Sequence, residues 1–340
     1  MFQPQYSLTN HLFNNVATCE RLYGQVEALR LPKQLELNLK RNNLIESAYA
    51  SNRIEGNPMT LPEVTNLILN DRMPSNRDEK EIANYFAMLE KLDSYAQKPF
   101  SAKLVTDLHQ ELFAHFEEGA GRLRNEIVAV SRYTREENGK VKLNIKHMPP
   151  YHAKTEIRQA LEELLSWAKQ QTELPVVVKA GIFHHHFVYI HPFLDGNGRI
   201  CRMLTALLFI KAGYRINRYF ILDDYYDIDR NQYSDMLHSA DDGDKTQWLE
   251  YFSDGVKYSL QSALAKAQTS LQTLHIAQRP STKERTVLDI MMKYPETTST
   301  EIAGQLQVSR QQAHNLLSGL VEKGLIERKG STKSSYYVLK

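Results

Sequence analysis

The chain has 340 residues, of which 42% are hydrophobic and 24% are charged, and its formal net charge is +2 at pH 7. This length allows two or three domains with at least one large core, and the composition is that of a globular protein. The small net charge excludes a chain that is basic throughout, as a general nucleic-acid-binding protein would be, but it leaves room for one basic segment.

Two features bear on the cellular compartment. Cys19 and Cys201 lie far apart and form neither a metal-binding nor a disulfide pattern, which predicts a cytoplasmic protein with reduced thiols. The first residues, MFQPQYSLTN, lack the charged start and apolar run of a secretory signal. Because the sequence also has no run of about 18 apolar residues, we expect no membrane partner.

The elements before residue 175 are mostly predicted helices. Apolar residues recur at intervals of three and four over 11–50, 80–96 and 155–170, the period of an amphipathic helix. One segment breaks this pattern: residues 126–148 contain two β-favouring stretches around Asn138-Gly139, a pair typical of tight hairpin turns. The predicted fold class is therefore mainly α with one β-hairpin.

The stretch HPFLDGNGR, residues 191–199, connects two apolar segments, VVVKAGIFHHHFVYI before it and RICRMLTALLFIKAG after it. Both segments are predicted helices; Pro192 ends the first, and Gly213 is suited to cap the second. Gly196 and Gly198 allow backbone N–H groups to turn toward a common point at the start of the second helix. Such a point is a predicted anion-binding site.

The side chains of this stretch point to phosphate chemistry. Arg199 and Arg202 are three apart on one helical face and can both bind phosphate oxygens. Asp195 predicts a Mg²⁺ ligand, since Mg²⁺ accompanies triphosphates, and His191 is placed to accept a proton from a hydroxyl. The alternative is a structural loop with surface arginines, but the presence of the whole set argues against it.

The complete stretch HPFLDGNGRICR resembles the signature of the Fic (filamentation induced by cAMP) domain family, His-x-Phe-x-Asp/Glu-Gly-Asn-Gly-Arg-x-x-Arg, and fills every defined position. His184 and Phe187 upstream agree with the family, and the resemblance covers roughly residues 1–260. It implies a Fic-type helical bundle whose hairpin is a flap that aligns a target segment by strand pairing. An ordinary surface hairpin is the alternative for that element.

The resemblance also implies a reaction. Fic enzymes usually transfer AMP from ATP to a hydroxyl of a target protein and release pyrophosphate, so the chain is expected to be a protein adenylyltransferase that acts on Tyr, Thr or Ser of an unknown target. Phe193 would anchor the loop in the core. The implied site residues are His191 as base, Asp195 for Mg²⁺, Gly196, Asn197 and Gly198 lining the anion hole, Arg199 and Arg202 on the β- and γ-phosphates, and Tyr225 and Tyr226 near adenine, with core packing as the alternative for the two tyrosines.

A second stretch, SNRIEGN at 51–57, bears on regulation. Ser51 and Glu55 are four residues apart on one helical face, and Gly56 can end the helix. By itself this predicts a capped helix end with a solvated glutamate. It resembles, however, the inhibitory motif of Fic proteins, which implies that Glu55 pairs with Arg202, takes the place of the γ-phosphate and holds the enzyme inactive.

Other polar residues are less informative. The histidines at 184–186 point about 100° apart on a helix, so they cannot converge on one metal ion, and we expect structural roles for them. Arg122 and Arg124 are candidates for contacts with the nucleotide or the target, and the residues do not decide between these.

The tail resembles a winged helix-turn-helix. Two capping patterns, at Thr298 and Ser309, start its second and third helices, and IERKGSTKSSYYVLK predicts the two-stranded wing. Residues 309–323 are the expected recognition helix, on a segment with a modest excess of basic residues. The candidate DNA-contacting residues are Arg310, Gln311, Gln312, His314 and Asn315; a dimer or protein contact, and hence a homodimer, is the alternative.

The predicted domains are an N-terminal helical region with the inhibitory helix (1–100), the Fic core (101–260), a linker (261–280) and the winged helix (281–340). Two functions compete: an autoinhibited adenylyltransferase, and a transcription regulator that senses nucleotide through its Fic portion. The intact motif favours the enzyme, since a sensor has no need of His191. Within the enzyme class, removal of AMP with a water positioned by Glu55 is an alternative.

Overall fold

The computed structural model describes residues 2–114, 119–135, 141–215, 221–278, 280–330 and 335–340. These residues form two compact units, Met1–Ala267 and Gln268–Lys340. The first unit is mainly helical with one hairpin, and the second has a small core of its own, as the sequence predicts.

The N-terminal region of the first unit consists mainly of helices. Its helices are α1 (Asn10–Ala28), α2 (Lys33–Ile54), α3 (Leu61–Leu69), α4 (Arg77–Glu90), α5 (Leu92–Ala96) and α6 (Ala102–Leu112). Helix α2 is the element that matters for the site. It starts after Pro32 and ends before Glu55, where Gly56 turns the chain with a φ of +93° that glycine adopts without strain.

The predicted hairpin is present. Strands β1 (Val130–Arg135) and β2 (Val141–His147) pair antiparallel, with Arg135 opposite Val141 and a register irregularity between Val130 and Ser131. The predicted turn at Asn138-Gly139 lies outside the described residues. We call strands β1 and β2 the flap.

The centre of the first unit is a pair of buried helices. Helix α8 (Val176–Ile190) packs against α9 (Asn197–Lys211), and α7 (Lys154–Gln170) packs on α8. Because α8 and α9 are apolar around most of their circumference, they are covered by neighbouring helices on nearly all sides. The turn between them is therefore held by rigid elements. Helices α10 (Asp223–Ile228), α11 (Arg230–His238) and α12 (Thr246–Gln278) follow.

The predicted linker at 261–280 is helical as far as Gln278, at the end of α12. The reason is its composition: QSALAKAQTSLQ is rich in alanine, leucine and glutamine, which favour helix even without a buried face. The division between the two units, at Ala267, falls within this helix.

The helices and strands of the second unit follow the order predicted for a winged helix. Its helices are α13 (Thr282–Lys293), α14 (Ser299–Leu306) and α15 (Arg310–Glu322), followed by the antiparallel strands β3 (Ile326–Lys329) and β4 (Tyr336–Leu339). The predicted capping box at Thr298 and the predicted N-cap at Ser309 are present, and Ser309 also forms a capping box with Gln312. Residues 331–334 of the predicted wing lie outside the described residues. Among the described residues, no helix meets the length and apolarity that a membrane span requires.

Candidate active site

His191 lies at the C-terminal end of helix α8, in the left-handed backbone conformation (φ +50°, ψ 63°). This conformation is uncommon for a residue with a side chain, and its cost is offset by the packing of the helices on both sides. It turns the chain sharply out of α8, and the His191 N–H closes the helix by donating to the Phe187 carbonyl.

The imidazole of His191 has a defined tautomer. Its Nδ1 lies 3.3 Å from the Val188 carbonyl oxygen, which can only accept, so Nδ1 carries the proton and Nε2 keeps its lone pair. Burial lowers the pKa of His191 to about 4. The side chain is therefore neutral near pH 7 and can accept a proton at Nε2.

The loop after His191 is held in shape by Asn197. Its side-chain oxygen accepts from the Phe193 N–H at 2.9 Å, and its side-chain nitrogen donates to the Phe193 carbonyl at 2.8 Å. Phe193 is fully buried, so it anchors the loop as expected. The Asn197 amide group is thus used within the loop, which leaves only the backbone of this residue to bind an anion.

Two features disfavour a side chain at position 196 in this loop. The φ of Gly196 is +74°, and a Cβ atom there would lie 2.6 Å from the Phe113 ring. His109 supports the same region: its ring stacks on Phe193 with centroids 3.8 Å apart, and its Nδ1 accepts from the Gly121 N–H at 2.8 Å. His109 Nε2 then donates to the Asp195 carbonyl at 3.1 Å. Burial lowers the pKa of His109 to about 4, which fits this neutral form.

Arg124 holds the turn at His191 from the other side. The guanidinium donates to the carbonyls of His191 (Nε, 2.6 Å), Glu126 (Nη1, 2.7 Å) and Ile190 (Nη2, 3.2 Å). The Arg124 backbone N–H donates to the Pro192 carbonyl at 3.0 Å. Of the two arginines considered for ligand contacts, Arg124 therefore binds the backbone of the turn, because the end of α8 leaves carbonyls without helical partners.

Arg199 is in the first turn of α9 and is only 2% exposed. Its Nη1 donates to Glu81 at 2.9 Å and lies 3.3 Å from the Asn52 side-chain oxygen. Its Nη2 lies 3.5 Å from Asp195, and its guanidinium stands over the Phe113 ring at 5.1 Å. The predicted phosphate-binding arginine is thus already paired with a carboxylate from α4.

Arg202 is buried one turn further along α9 and contacts the end of α2. Its Nε donates to the Ser51 hydroxyl at 2.7 Å, and its Nη2 donates to the Ser51 carbonyl and to Glu55 Oε1, both at 2.8 Å. A second carboxylate, Asp223, lies 3.2 Å from Nε. Burial alone would lower the pKa of Arg202, but Glu55 and the other acidic groups around it, Tyr233, Tyr85 and Asp223, together raise it above the ordinary value.

Glu55 also lies against the backbone at the start of α9. A Cβ atom built on Gly198 would be only 2.1 Å from Glu55 Oε1, so the carboxylate contacts the glycine directly. The first N–H groups of a helix have no partner within the helix and carry a partial positive charge. The structure therefore brings the Glu55 carboxylate, Arg202 and the N-terminus of α9 together, with Arg199 in the first turn of the same helix.

Asp195 lies at the edge of this site, and 45% of its side chain is accessible. Its Oδ1 accepts from the Gly196 N–H, and its oxygens lie 3.5 Å from Arg77 and from Arg199. The two guanidiniums disfavour a lone divalent cation here. An exposed carboxylate beside a phosphate site fits a Mg²⁺ ion that is also bound by phosphate oxygens.

The two tyrosines predicted near adenine have different surroundings. Tyr226 is 1% exposed and stacks on Tyr233 with ring centroids 4.5 Å apart, so core packing, the alternative considered for it, describes its position. Tyr225 is half-buried and packs against Tyr251 and Tyr258. The contact of Tyr225 with a base stays a prediction.

The three consecutive histidines point to different partners, as their spacing predicts. His184 contacts Thr205 and Tyr233, His185 contacts Asp241, and His186 stacks on Phe2.

The candidate DNA-contacting side chains of α15 are all exposed. Gln311 donates to Asn315 at 3.0 Å, while Gln312 accepts from the Ser309 N–H at 3.1 Å as part of the capping box. Gln312 is thus less available to a base than the others, which include Arg310.

Three groups that support the site from a distance are not recognisable in the sequence. Glu81, His109 and Asp223 each contact the motif but precede or follow it by 21 or more positions, and none belongs to a recognisable pattern. For Glu81 a weak signal exists: it lies four residues after Arg77, a spacing that favours an ion pair on one helical face.

Two family models match this chain, one in each of its two units. Residues 99–209 match the model of the Fic/DOC family, and residues 280–334 match that of the MarR family. A protein adenylyltransferase Fic from Culex quinquefasciatus is 30% identical over 274 residues, which are 76% of this chain and 49% of the relative. One from Nematostella vectensis is 28% identical over 229 residues, 64% of this chain and 48% of the relative. The chain thus spans about half the length of these relatives.

Solved structures show the same fold. A Fic family protein from Desulfovibrio desulfuricans G20 has a TM-score of 0.69 at 23% identity, covering 100% of this chain and 98% of that one. Fic-1 from Caenorhabditis elegans has a TM-score of 0.59 at 21% identity, covering 76% of this chain and 73% of that one.

Proposed function

We propose that this chain, whose residues 99–209 match the Fic/DOC family, is a protein adenylyltransferase that Glu55 holds inactive. The substrate would be ATP, and the acceptor a Tyr, Thr or Ser hydroxyl of a target protein or of the enzyme itself. The observation that carries the proposal is the Glu55 carboxylate on Arg202, at the start of α9.

The proposed step needs a base at the acceptor hydroxyl. The hydroxyl oxygen attacks the α-phosphorus, the bond from that phosphorus to the pyrophosphate oxygen breaks, and the hydroxyl proton moves to His191 Nε2. Two features support this role for His191: its Nδ1–H is engaged with Val188, and its pKa of about 4 keeps it neutral. Arg124 and the φ of His191 keep the imidazole at the end of a rigid helix.

The phosphates would bind where Glu55 now lies. A helix N-terminus with Gly198 in its first turn suits phosphate oxygens, and Arg202 and Arg199 would stabilise the charge of the departing pyrophosphate. Asp195 and the phosphates together would hold Mg²⁺. When bound, Mg²⁺ neutralises phosphate charge.

Autoinhibition follows from competition for Arg202. The Glu55 carboxylate and a γ-phosphate are both anions that need the same guanidinium and the same helix end. While Glu55 stays on Arg202, ATP can bind only with its terminal phosphate displaced, and its α-phosphate is then misaligned for attack.

The reaction is tested by self-labelling with ATP that carries ³²P in the α- or the γ-position. The Glu55→Gly variant should incorporate label from the α-position only, since AMP is transferred and the γ-phosphate leaves. Adding His191→Ala to that variant should lower the rate by about 10²–10⁴-fold, the usual contribution of a general base. Label from the γ-position would indicate a kinase instead. Equal labelling with and without His191 would show that His191 is not the general base.

A second candidate is DNA binding by the winged helix, favoured by the MarR family match over residues 280–334 and by the exposed polar face of α15. This would make the chain a regulator as well as an enzyme. The reverse reaction is the alternative within the enzyme class, and wild-type protein that releases AMP from the labelled Glu55→Gly variant, freed of ATP, would support it.

A further inference from the structure

Away from the residues assigned to catalysis, three side chains converge where the flap joins the helical bundle. They are His147 at the end of β2, His238 at the end of α11, and Asp241 in the turn that follows α11. One nitrogen or oxygen atom of each lies within 4.8 Å of the corresponding atoms of the other two. The site proposed for AMP transfer uses none of these groups.

His147 faces an acceptor on both sides. Its Nε2 lies 2.9 Å from the Tyr189 carbonyl oxygen, and its Nδ1 lies 2.8 Å from Asp241 Oδ2. A neutral imidazole carries a single N–H, so it can satisfy only one of these oxygens. Burial alone would lower the pKa of His147, but its contacts with Asp241 and Tyr189 raise it. Both oxygens are therefore satisfied either by a second ring proton or, with Nε2–H on the carbonyl, by a cation between Nδ1 and the carboxylate.

The second histidine is aimed at the same oxygen. His238 Nδ1 lies 3.0 Å from Asp241 Oδ2, so two imidazole nitrogens and one carboxylate oxygen meet at one point. This donor set is typical of Zn²⁺, whereas Mg²⁺ and Ca²⁺ prefer oxygen ligands alone.

The surrounding groups are those that usually orient zinc ligands. The Tyr189 carbonyl accepts from His147, which leaves His147 Nδ1 free to bind metal. His185 Nε2 donates to the other oxygen of Asp241 at 3.0 Å, and its tautomer is set by Lys245, whose Nζ lies 2.9 Å from His185 Nδ1. Asp241 is therefore held in place through an oxygen that the metal would not need.

We propose that His147, His238 and Asp241 form a Zn²⁺ site that links the flap to helix α11, with its fourth position open to water. The side chains are 3%, 11% and 20% exposed, so the site has one accessible side. Tetrahedral bonds of about 2.0–2.2 Å place ligand atoms roughly 3.3 Å apart. The two nitrogen–oxygen distances, 2.8 and 3.0 Å, need to lengthen by only a few tenths of an ångström, and the two imidazole nitrogens lie within 4.8 Å of each other.

The test uses the full chain without a polyhistidine tag, stripped with EDTA and then equilibrated with low micromolar ZnSO₄. Metal analysis should find about one Zn²⁺ per chain. Zn²⁺ should also raise the melting temperature of the wild type by several degrees. Co²⁺ in place of Zn²⁺ should give the visible absorption of a tetrahedral site.

Two variants and two controls decide the assignment. His238→Ala and Asp241→Asn should lower Zn²⁺ affinity at least about tenfold, while their metal-free melting temperatures show whether they fold. His152→Ala, an exposed histidine elsewhere, and Asp195→Ala, at the predicted Mg²⁺ position, should bind Zn²⁺ as the wild type does. Wild-type protein without bound Zn²⁺, or unchanged binding in a folded His238→Ala, overturns the proposal. Because the readout is binding, it is independent of AMP transfer.

Discussion

At the scale of single residues, burial and backbone geometry determine what His191 can do. An exposed histidine titrates near pH 6.5 and samples both tautomers. Here the Val188 carbonyl selects the Nδ1–H form, and burial disfavours the charged ring. A base with this pKa is weak, but it is available at every pH at which the protein is expected to be folded.

This predicts an unusual pH dependence. Because transfer requires neutral His191, and its pKa is about 4, kcat/KM of the Glu55→Gly variant should stay level from about pH 8 to about pH 5 and fall only as the pH approaches 4. Rates of self-labelling give the profile, with circular dichroism at each pH to follow folding. A midpoint near 6.5 in folded protein would show that His191 titrates as an exposed histidine.

Arg124 is a positioning residue, since it contacts only carbonyl groups of the turn and its neighbours. Replacing it with methionine removes those contacts and lets His191 shift. In the Glu55→Gly background we expect kcat to fall about tenfold or more, with little change in KM for ATP. Arg158→Met, at an exposed arginine of helix α7, is the matched control. Equal rates in the two variants would leave Arg124 with no role in the reaction.

At the scale of elements, the site is a meeting of two helix ends. Helix α2 ends at Ile54 and α9 begins at Asn197, and the carboxylate that follows α2 lies at the positive end of α9. The turn from α8 into α9 makes this possible. Gly196 is the position in it where both the backbone angle and the neighbouring Phe113 ring exclude a side chain.

Gly196→Ala should therefore destabilise the protein by roughly 1–3 kcal/mol more than Gly243→Ala. Gly243 is the matched control, because it also has positive φ (+115°) but has nothing within 4 Å of an added Cβ atom. Denaturant unfolding measures both. If the two variants lose the same stability, the contact with Phe113 is not what requires glycine at 196.

Prediction from sequence succeeded where chemistry is local. The residues from His191 to Arg202 lie within twelve positions, so their spacing alone indicated a turn, a helix start and two arginines on one face. The pairing of Glu55 with Arg202 came from family resemblance, since 147 positions separate them. Glu81 and His109 were missed because a carboxylate or imidazole on an ordinary amphipathic helix gives no sign of what the fold brings to it. For Tyr226 the sequence left two alternatives open, and its burial fits core packing.

At the scale of the whole molecule, the chain joins a Fic domain to a winged helix of the MarR type. Each unit has its own core. The second unit's exposed helix face is polar, which suits contacts with base edges, and its basic residues suit phosphates.

If the second unit binds DNA, its residues should divide into two classes. Arg310→Ala should weaken binding to all sequences and reduce the salt dependence, since it removes a phosphate contact, whereas Asn315→Ala should mainly weaken binding to a preferred sequence. Fluorescence anisotropy at several salt concentrations, with Gln159→Ala as a control on the first unit, measures both. If the wild-type protein binds no DNA at low salt, the MarR-like unit serves in contacts with other proteins instead.

The central claim is that one carboxylate suppresses AMP transfer, and the most direct measurement is the initial rate of self-labelling from α-³²P-ATP. Glu55→Gly should exceed the wild type by at least about tenfold, the effect of 1.4 kcal/mol on the barrier. Glu46→Gly, at a glutamate within helix α2 that pairs with Lys266 rather than with the motif, should match the wild type. Equal rates in wild type and folded Glu55→Gly would contradict the claim.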